Sequence, residues 1–154
     1  MKSILLKSKS LFACGLLVMG LTSVGTAYAI DYEKSGKTTC YTFKNDKMLK
    51  KASCTYKGTG QYTGRSHQLK FTFKMQGVQQ PIKVNLINYD WYADDATDDA
   101  LNGKKATQLL RKKTNLKKTT EAGTNKDGTT DYMNCLKDKN GNEFCYAEGD
   151  LGTF

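Results

Sequence analysis

Between residues 67 and 88 the chain alternates apolar and polar positions with a period of two. Leu69, Phe71, Phe73 and Met75 fall on one face, with Lys70, Thr72 and Lys74 on the other. Ile82, Val84 and Leu86 repeat the arrangement against Lys83, Asn85 and Ile87. Such alternation marks antiparallel strands with one face in a core and one in water. The spacing predicts a central hairpin joined by the loop 77–81, with a basic outer face.

Two further hairpins follow from the same pattern. Residues 39–44 and 49–57 flank the turn-like Asn45-Asp46-Lys47-Met48. A turn centred on Lys47 sets Cys40 opposite Cys54, Thr42 opposite Ala52 and Lys44 opposite Lys50. Residues 132–137 and 142–146 flank Lys139-Asn140-Gly141, which suits a three-residue loop with Gly141 left-handed. That register sets Cys135 against Cys145, Leu136 against Phe144, and Lys137 against Glu143 as an ion pair. The stretches 31–37 and 58–66 read as a polar lead-in and a glycine-punctuated loop. Asn102-Gly103 signals a tight turn, 106–113 is either a short helix or a strand, and 119–130 is an exposed loop. The fold class expected is all-β: a small antiparallel barrel or sandwich of about six to eight short strands.

Composition adds a compartment. Lys2, Lys7 and Lys9 precede the apolar run 11–21, and an Ala-x-Ala end follows at Ala27-Tyr28-Ala29. This is the layout of a cleavable signal peptide, 1–29, leaving residues 30–154 as a single periplasmic or secreted domain. Cys14 precedes most of the apolar run, so a lipoprotein site is disfavoured. No later stretch is long and apolar enough for a membrane-spanning helix. The terminal Phe154 resembles the end of outer-membrane barrels, but the outward positions here are lysine and threonine. Four cysteines remain in an oxidising compartment, and the two hairpin registers favour Cys40–Cys54 and Cys135–Cys145 over the other two pairings.

The net charge of +9 falls to +6 without the first three lysines. An anionic partner is therefore favoured: an envelope polymer, a glycan, nucleic acid or an acidic protein. Candidate binding residues are Lys70, Lys74 and Lys83 on the central hairpin, with Arg65, Arg111, Trp91 and Tyr92 from adjoining segments, the aromatics for stacking. Catalytic candidates are thin. His67, the only histidine, stands near Arg65 and Ser66 and would suit a nuclease-like acid or base, but no partner for it is evident. Asp94, Asp95, Asp98 and Asp99 are dense enough to recruit calcium, yet match no ligand spacing, so a solvated loop is expected. Asp138 to Asn142 opens like an EF-hand loop, but Glu143 stands where the turn glycine belongs. The cysteine spacing does not suit zinc, and nothing calls for a cofactor. The expectation is a non-enzymatic binding protein; the alternatives are a small secreted enzyme or toxin, or an envelope inhibitor of a host or competitor protein.

Overall fold

The structure, a computed structural model, describes residues 30–63, 66–88, 98–123, 125 and 127–147, with the backbone alone for 30–32, 62–63, 66–67 and 88. Nine strands run in chain order: β1 Ile30–Lys44, β2 Lys47–Thr63, β3 Ser66–Met75, β4 Ile82–Asn88, β5 Ala100–Leu101, β6 Lys104–Lys112, β7 Lys118–Thr119, β8 Tyr132–Asp138 and β9 Asn142–Ala147. They form one antiparallel sheet in the order β5-β4-β3-β2-β1-β9-β8-β6-β7. Pairing of β5 with β6 closes the order on itself, so eight strands make a barrel-like ring and β7 is appended to β6.

The central hairpin forms as its alternation predicts. Phe71, Phe73, Met75, Ile82 and Val84 are buried, and Leu69 and Leu86 pack against the same core. The β8–β9 hairpin also keeps the expected register, with Cys135 opposite Cys145, Leu136 opposite Phe144 and Lys137 opposite Glu143. Gly141 takes φ 79° and donates its N–H to Asp138 O at 3.0 Å, closing the three-residue loop. Asn102 and Gly103, at φ 52° and 76°, make the tight turn between β5 and β6. Residues 106–112 are strand, not helix.

The β1–β2 hairpin corrects the expected register. Its turn is the two-residue Asn45-Asp46, both left-handed at φ 50° and 66°, the geometry that matches strand twist. Cys40 therefore faces Ala52, and Cys54 faces Thr38. The disulfide Cys40–Cys54 forms along the diagonal, with Cα atoms 5.9 Å apart, while Cys135–Cys145 joins directly opposed residues. The ladder steps from Thr42↔Lys50 to Phe43↔Met48, which leaves Leu49 as a bulge. Lys44 faces Lys47 instead of Lys50, and its ammonium turns away to Asn140 O and Asn142 Oδ1.

The polar lead-in and residues 58–63 of the glycine-rich stretch are also strand, not loop. Residues 30–38 of β1 pair with 54–62 of β2, and residues 54–63 of β2 also pair with β3. Gly58 is buried on the inner side, where a Cβ would overlap the Phe71 ring; at Gly36 a Cβ would meet the Tyr56 hydroxyl at 2.8 Å. These glycines serve close packing of aromatic rings, not a change of chain direction. The interior is an aromatic cluster centred on Phe73, which is fully buried 4.9 Å from Phe144, 5.2 Å from Tyr146 and 6.0 Å from both Tyr56 and Phe71.

A second, smaller core lies on the opposite face of β1, β9 and β8. Tyr41, Phe43, Met133 and the Cys135–Cys145 disulfide are buried there, with Leu109 and Leu116 packed over them. Strands buried on both faces explain why β9 reads Phe144-Cys145-Tyr146-Ala147 without alternation, all four being buried.

Replacing Gly58 by Ala places a methyl group against the Phe71 ring in a filled interior. Equilibrium urea unfolding should show a loss of about 1–3 kcal/mol, the usual effect of overpacking; unchanged stability would mean that the ring moves aside freely.

Candidate functional site

The expected basic face forms on the outer side of β1 to β4. Cross-strand register places Lys37, Thr55 and Lys74 in one lateral row, and Ser35, Lys57, Thr72 and Lys83 in the next. Lys70 follows in the row Glu33, Thr59, Lys70, Asn85. Strands stand about 4.8 Å apart and rows about 6.8 Å, so each lysine of the first two rows has another within roughly 8–10 Å. All five lysines are exposed, and none is held in an ion pair with a described residue. Glu33 is the one acid among the described side chains at outward positions of these four strands. A shallow depression between Lys37 and Lys74 is floored by Ser53, Thr55 and Gln76. Lys37 and Lys57 extend the face beyond the candidates found in sequence. Lys37 was missed because the strand character of 30–38 was not legible, and Lys57 because its place beside Thr72 and Lys83 follows only from the pairing of β2 with β3.

Arg111 does not belong to this face. Its side chain lies on the outer side of β6, beside the second core and only 4% exposed, with the guanidinium 4.3 Å above the Phe43 ring. Nε and Nη2 donate to the Glu143 carboxylate, 2.9 Å for the Nη2–Oε2 bond, and Nη1 donates to Leu116 O at 2.7 Å. Nη2 also donates to Asp46 Oδ1 at 2.7 Å. Glu143 is fully buried, so the pair Lys137–Glu143 expected from the hairpin gives way to Arg111–Glu143. Lys137 instead approaches Asp46 at 3.7 Å, and Lys118 meets the same carboxylate at 2.7 Å. Leu116 accepts a left-handed φ of 61° in the loop that covers this cluster. Its side chain packs on the second core and its carbonyl receives Arg111.

The electrostatics of this junction are those of mutual compensation. Hydrogen bonds from Lys118 and then Arg111 hold the Asp46 carboxyl down at about 2, against an ordinary 3.8. The hydrogen bond to Glu143 likewise pushes the Arg111 guanidinium up, which keeps it charged. The cluster is a structural clamp joining the β1–β2 turn, β6 and β9.

The other candidates divide between structural roles and segments outside the described residues. Asp99 is buried, and its carboxylate accepts the Ile87 N–H at 3.0 Å and the Gln108 amide at 2.8 Å. It ties β4 to β6 where β5 is only two residues long. Asp98 is exposed, 3.8 Å from Lys105. Asp94, Asp95, Arg65, Trp91 and Tyr92 lie outside the described residues. The backbone of His67 pairs with Tyr62 and Asn88, which places it inside the sheet; its side chain lies outside the description.

Asp138, the first residue of the EF-hand-like stretch, accepts the N–H groups of Asn140 and Asn142, both at 2.9 Å, and the Asn142 amide at 2.7 Å. Burial opposes its ionisation, but these hydrogen bonds outweigh it and hold the carboxyl below its ordinary range. Its oxygens secure a turn. Cys135, Cys145 and Glu143 bring three potential metal ligands within 4.8 Å. With the sulfurs joined to each other and the carboxylate on Arg111, this group offers no ligand set in the oxidised protein.

No protein-family model, no curated protein and no solved structure matches the chain. Among the described residues, no helix is long and apolar enough to cross a membrane.

Two outcomes follow from the ion cluster. Glu143→Ala leaves a buried guanidinium without its main counter-ion and should lower stability by about 3 kcal/mol or more in urea unfolding. Asp46 has a depressed carboxyl in the folded state. Its contribution is therefore complete above about pH 4 and disappears as pH falls through about 2. The stability difference between wild type and Asp46→Asn should accordingly shrink across that window; a constant difference would remove the ion cluster as its source.

Proposed function

We propose that the protein is an exported, non-enzymatic binding module whose basic outer face engages an extended anionic partner at the cell envelope. One observation carries this reading: Lys37, Lys57, Lys70, Lys74 and Lys83 share an outer face on which no ion pair forms among the described residues, in contrast to the compensated cluster at Arg111. Arg111 and Lys118 are bound to carboxylates, whereas the five face lysines have no ion-pair partner among the described residues. Lysines spaced along hydrogen-bonded strands make point contacts to phosphate, sulfate or carboxylate groups without reading a particular sequence or stereochemistry. The partner class is therefore an anionic polymer, such as an acidic glycan, lipopolysaccharide or nucleic acid.

Export supports the same reading. The Lys2-to-Ala29 layout is that of a signal peptide, and two disulfides suit an oxidising compartment. The packed interior favours recognition on the outside over a ligand held within the ring.

The test is equilibrium binding of the oxidised protein to heparin, lipopolysaccharide and single-stranded DNA at low and physiological salt. Affinity for at least one polymer should fall as salt rises. Lys70→Glu/Lys74→Glu/Lys83→Glu should weaken it at least tenfold and flatten the salt dependence by about one unit of log–log slope per lysine in contact. Salt-independent binding, or binding indifferent to the three reversals, would remove the face as the binding surface.

A further inference from the structure

Met48 and Leu49 are the large apolar side chains that stay exposed among the described residues, at 42% and 64%. They are neighbours in sequence, and their exposure follows from the bulge in β2. Because Phe43 faces Met48 while Thr42 faces Lys50, Leu49 has no partner across the hairpin. Lys44, Lys47, Lys50 and Lys51 crowd the same tip. Lys117 lines the shallow groove that Met48 shares with Phe43 and Leu116.

The tip carries a net positive charge that is not cancelled locally. Lys44 and Lys50 donate to Asn140 O, Asn142 Oδ1 and Gly77 O, all neutral acceptors that orient the ammonium groups without neutralising them. The one acid in the turn, Asp46, is already compensated by Arg111 and Lys118. The Asn45 N–H donates to Gly141 O at 3.0 Å, which fastens the tip to the β8–β9 loop, so docking need not order a mobile segment.

We propose that this tip is a peripheral docking element for an anionic phospholipid bilayer. Charge and apolarity together select that occupant. A soluble polyanion would satisfy the lysines but leave Met48 and Leu49 in water. At a bilayer the ammonium groups meet headgroup phosphates while the two apolar side chains pass into the boundary with the acyl chains. Only side chains enter, so no backbone polar group is taken into hydrocarbon. This surface is distinct from the lysine face of β1 to β4 and does not depend on that face binding a polymer.

The experiment is co-sedimentation of the oxidised protein with vesicles of phosphatidylcholine alone and of phosphatidylcholine mixed with phosphatidylglycerol. Binding should require phosphatidylglycerol. Met48→Ser/Leu49→Ser keeps every charge, and should weaken vesicle binding about tenfold or more while leaving heparin binding and the thermal midpoint unchanged. In a Leu49→Trp variant, brominated acyl chains should quench fluorescence beyond the quenching seen in the wild type. Vesicle binding by the double serine variant within twofold of wild type, or no added quenching in Leu49→Trp, would overturn the proposal. Loss of vesicle binding in Lys70→Glu/Lys74→Glu/Lys83→Glu but not in the serine variant would assign the affinity to the lysine face, and would overturn it equally.

Discussion

Closing an eight-membered ring of strands leaves an interior that has to be filled, and here Phe73 is the side chain around which the filling is arranged. Phe144 and Tyr146 reach it from β9, Tyr56 from β2 and Phe71 from its own strand. Rings of this size fit only because β1 and β2 present glycine at Gly36 and Gly58, where they press against the wall. The closure itself is narrow. β5 contributes two residues, and the buried Asp99 carboxylate supplements it by bonding to β4 on one side and β6 on the other. A hydrogen-bonded carboxylate thus does at this seam part of what a longer strand would do by ladder pairing.

With the interior filled, the surface the protein presents is its outside, and that has two different characters. Along β1 to β4 it is hydrophilic and basic. Around β1, β9 and β8 it is apolar, with Tyr41, Phe43, Met133 and the Cys135–Cys145 disulfide buried under Leu109 and Leu116. The Arg111–Glu143 pair stands beside that second core, where a charge without a partner would be strongly destabilising. Bidentate geometry, a carbonyl from Leu116 and the face of Phe43 make its burial tolerable. The same guanidinium reaches Asp46, so the turn of the first hairpin is tied to the last one through a charge network as well as through the backbone bond from Asn45 to Gly141.

How much of this was legible in sequence depended on whether local pattern and tertiary demand agreed. In β3, β4 and the β8–β9 hairpin they agreed, and face assignment and register followed from alternation and turn chemistry. In the first hairpin they did not. Asp46 occupies a left-handed turn position more often given to glycine, and Leu49 bulges out, so a register counted along an unbroken ladder comes out two residues off while the cysteines still pair. Gly58 of β2 read as a chain breaker because the property that explains it, proximity to Phe71, lies on another strand. Arg111 read as a surface cation for the same reason: Glu143 is 32 residues away, and nothing local reveals that residues 113–117 cover it. The lysine face was legible in Lys70, Lys74 and Lys83 but not in Lys37, whose stretch read as a lead-in, nor in Lys57, the last residue of its expected strand, whose neighbours on β3 and β4 follow only from the pairing of β2 with β3.

The spacing of that face also explains how a stable fold can carry it. Lysines roughly 8–10 Å apart in water repel one another by well under 1 kcal/mol per pair, and at physiological ionic strength the screening length of about 8 Å reduces this further. The face therefore imposes little strain on the ring, unlike the same charges brought together at a buried site. An anionic group that reaches contact distance of one lysine gains far more than its neighbours lose, and a polymer with several such groups gains repeatedly on a surface that does not rearrange. Isolated small anions lack that repetition. On the binding role proposed above, an array of spaced, uncompensated ammonium groups would favour extended polyanions over small ones, and would distinguish them by length and charge density, not by shape.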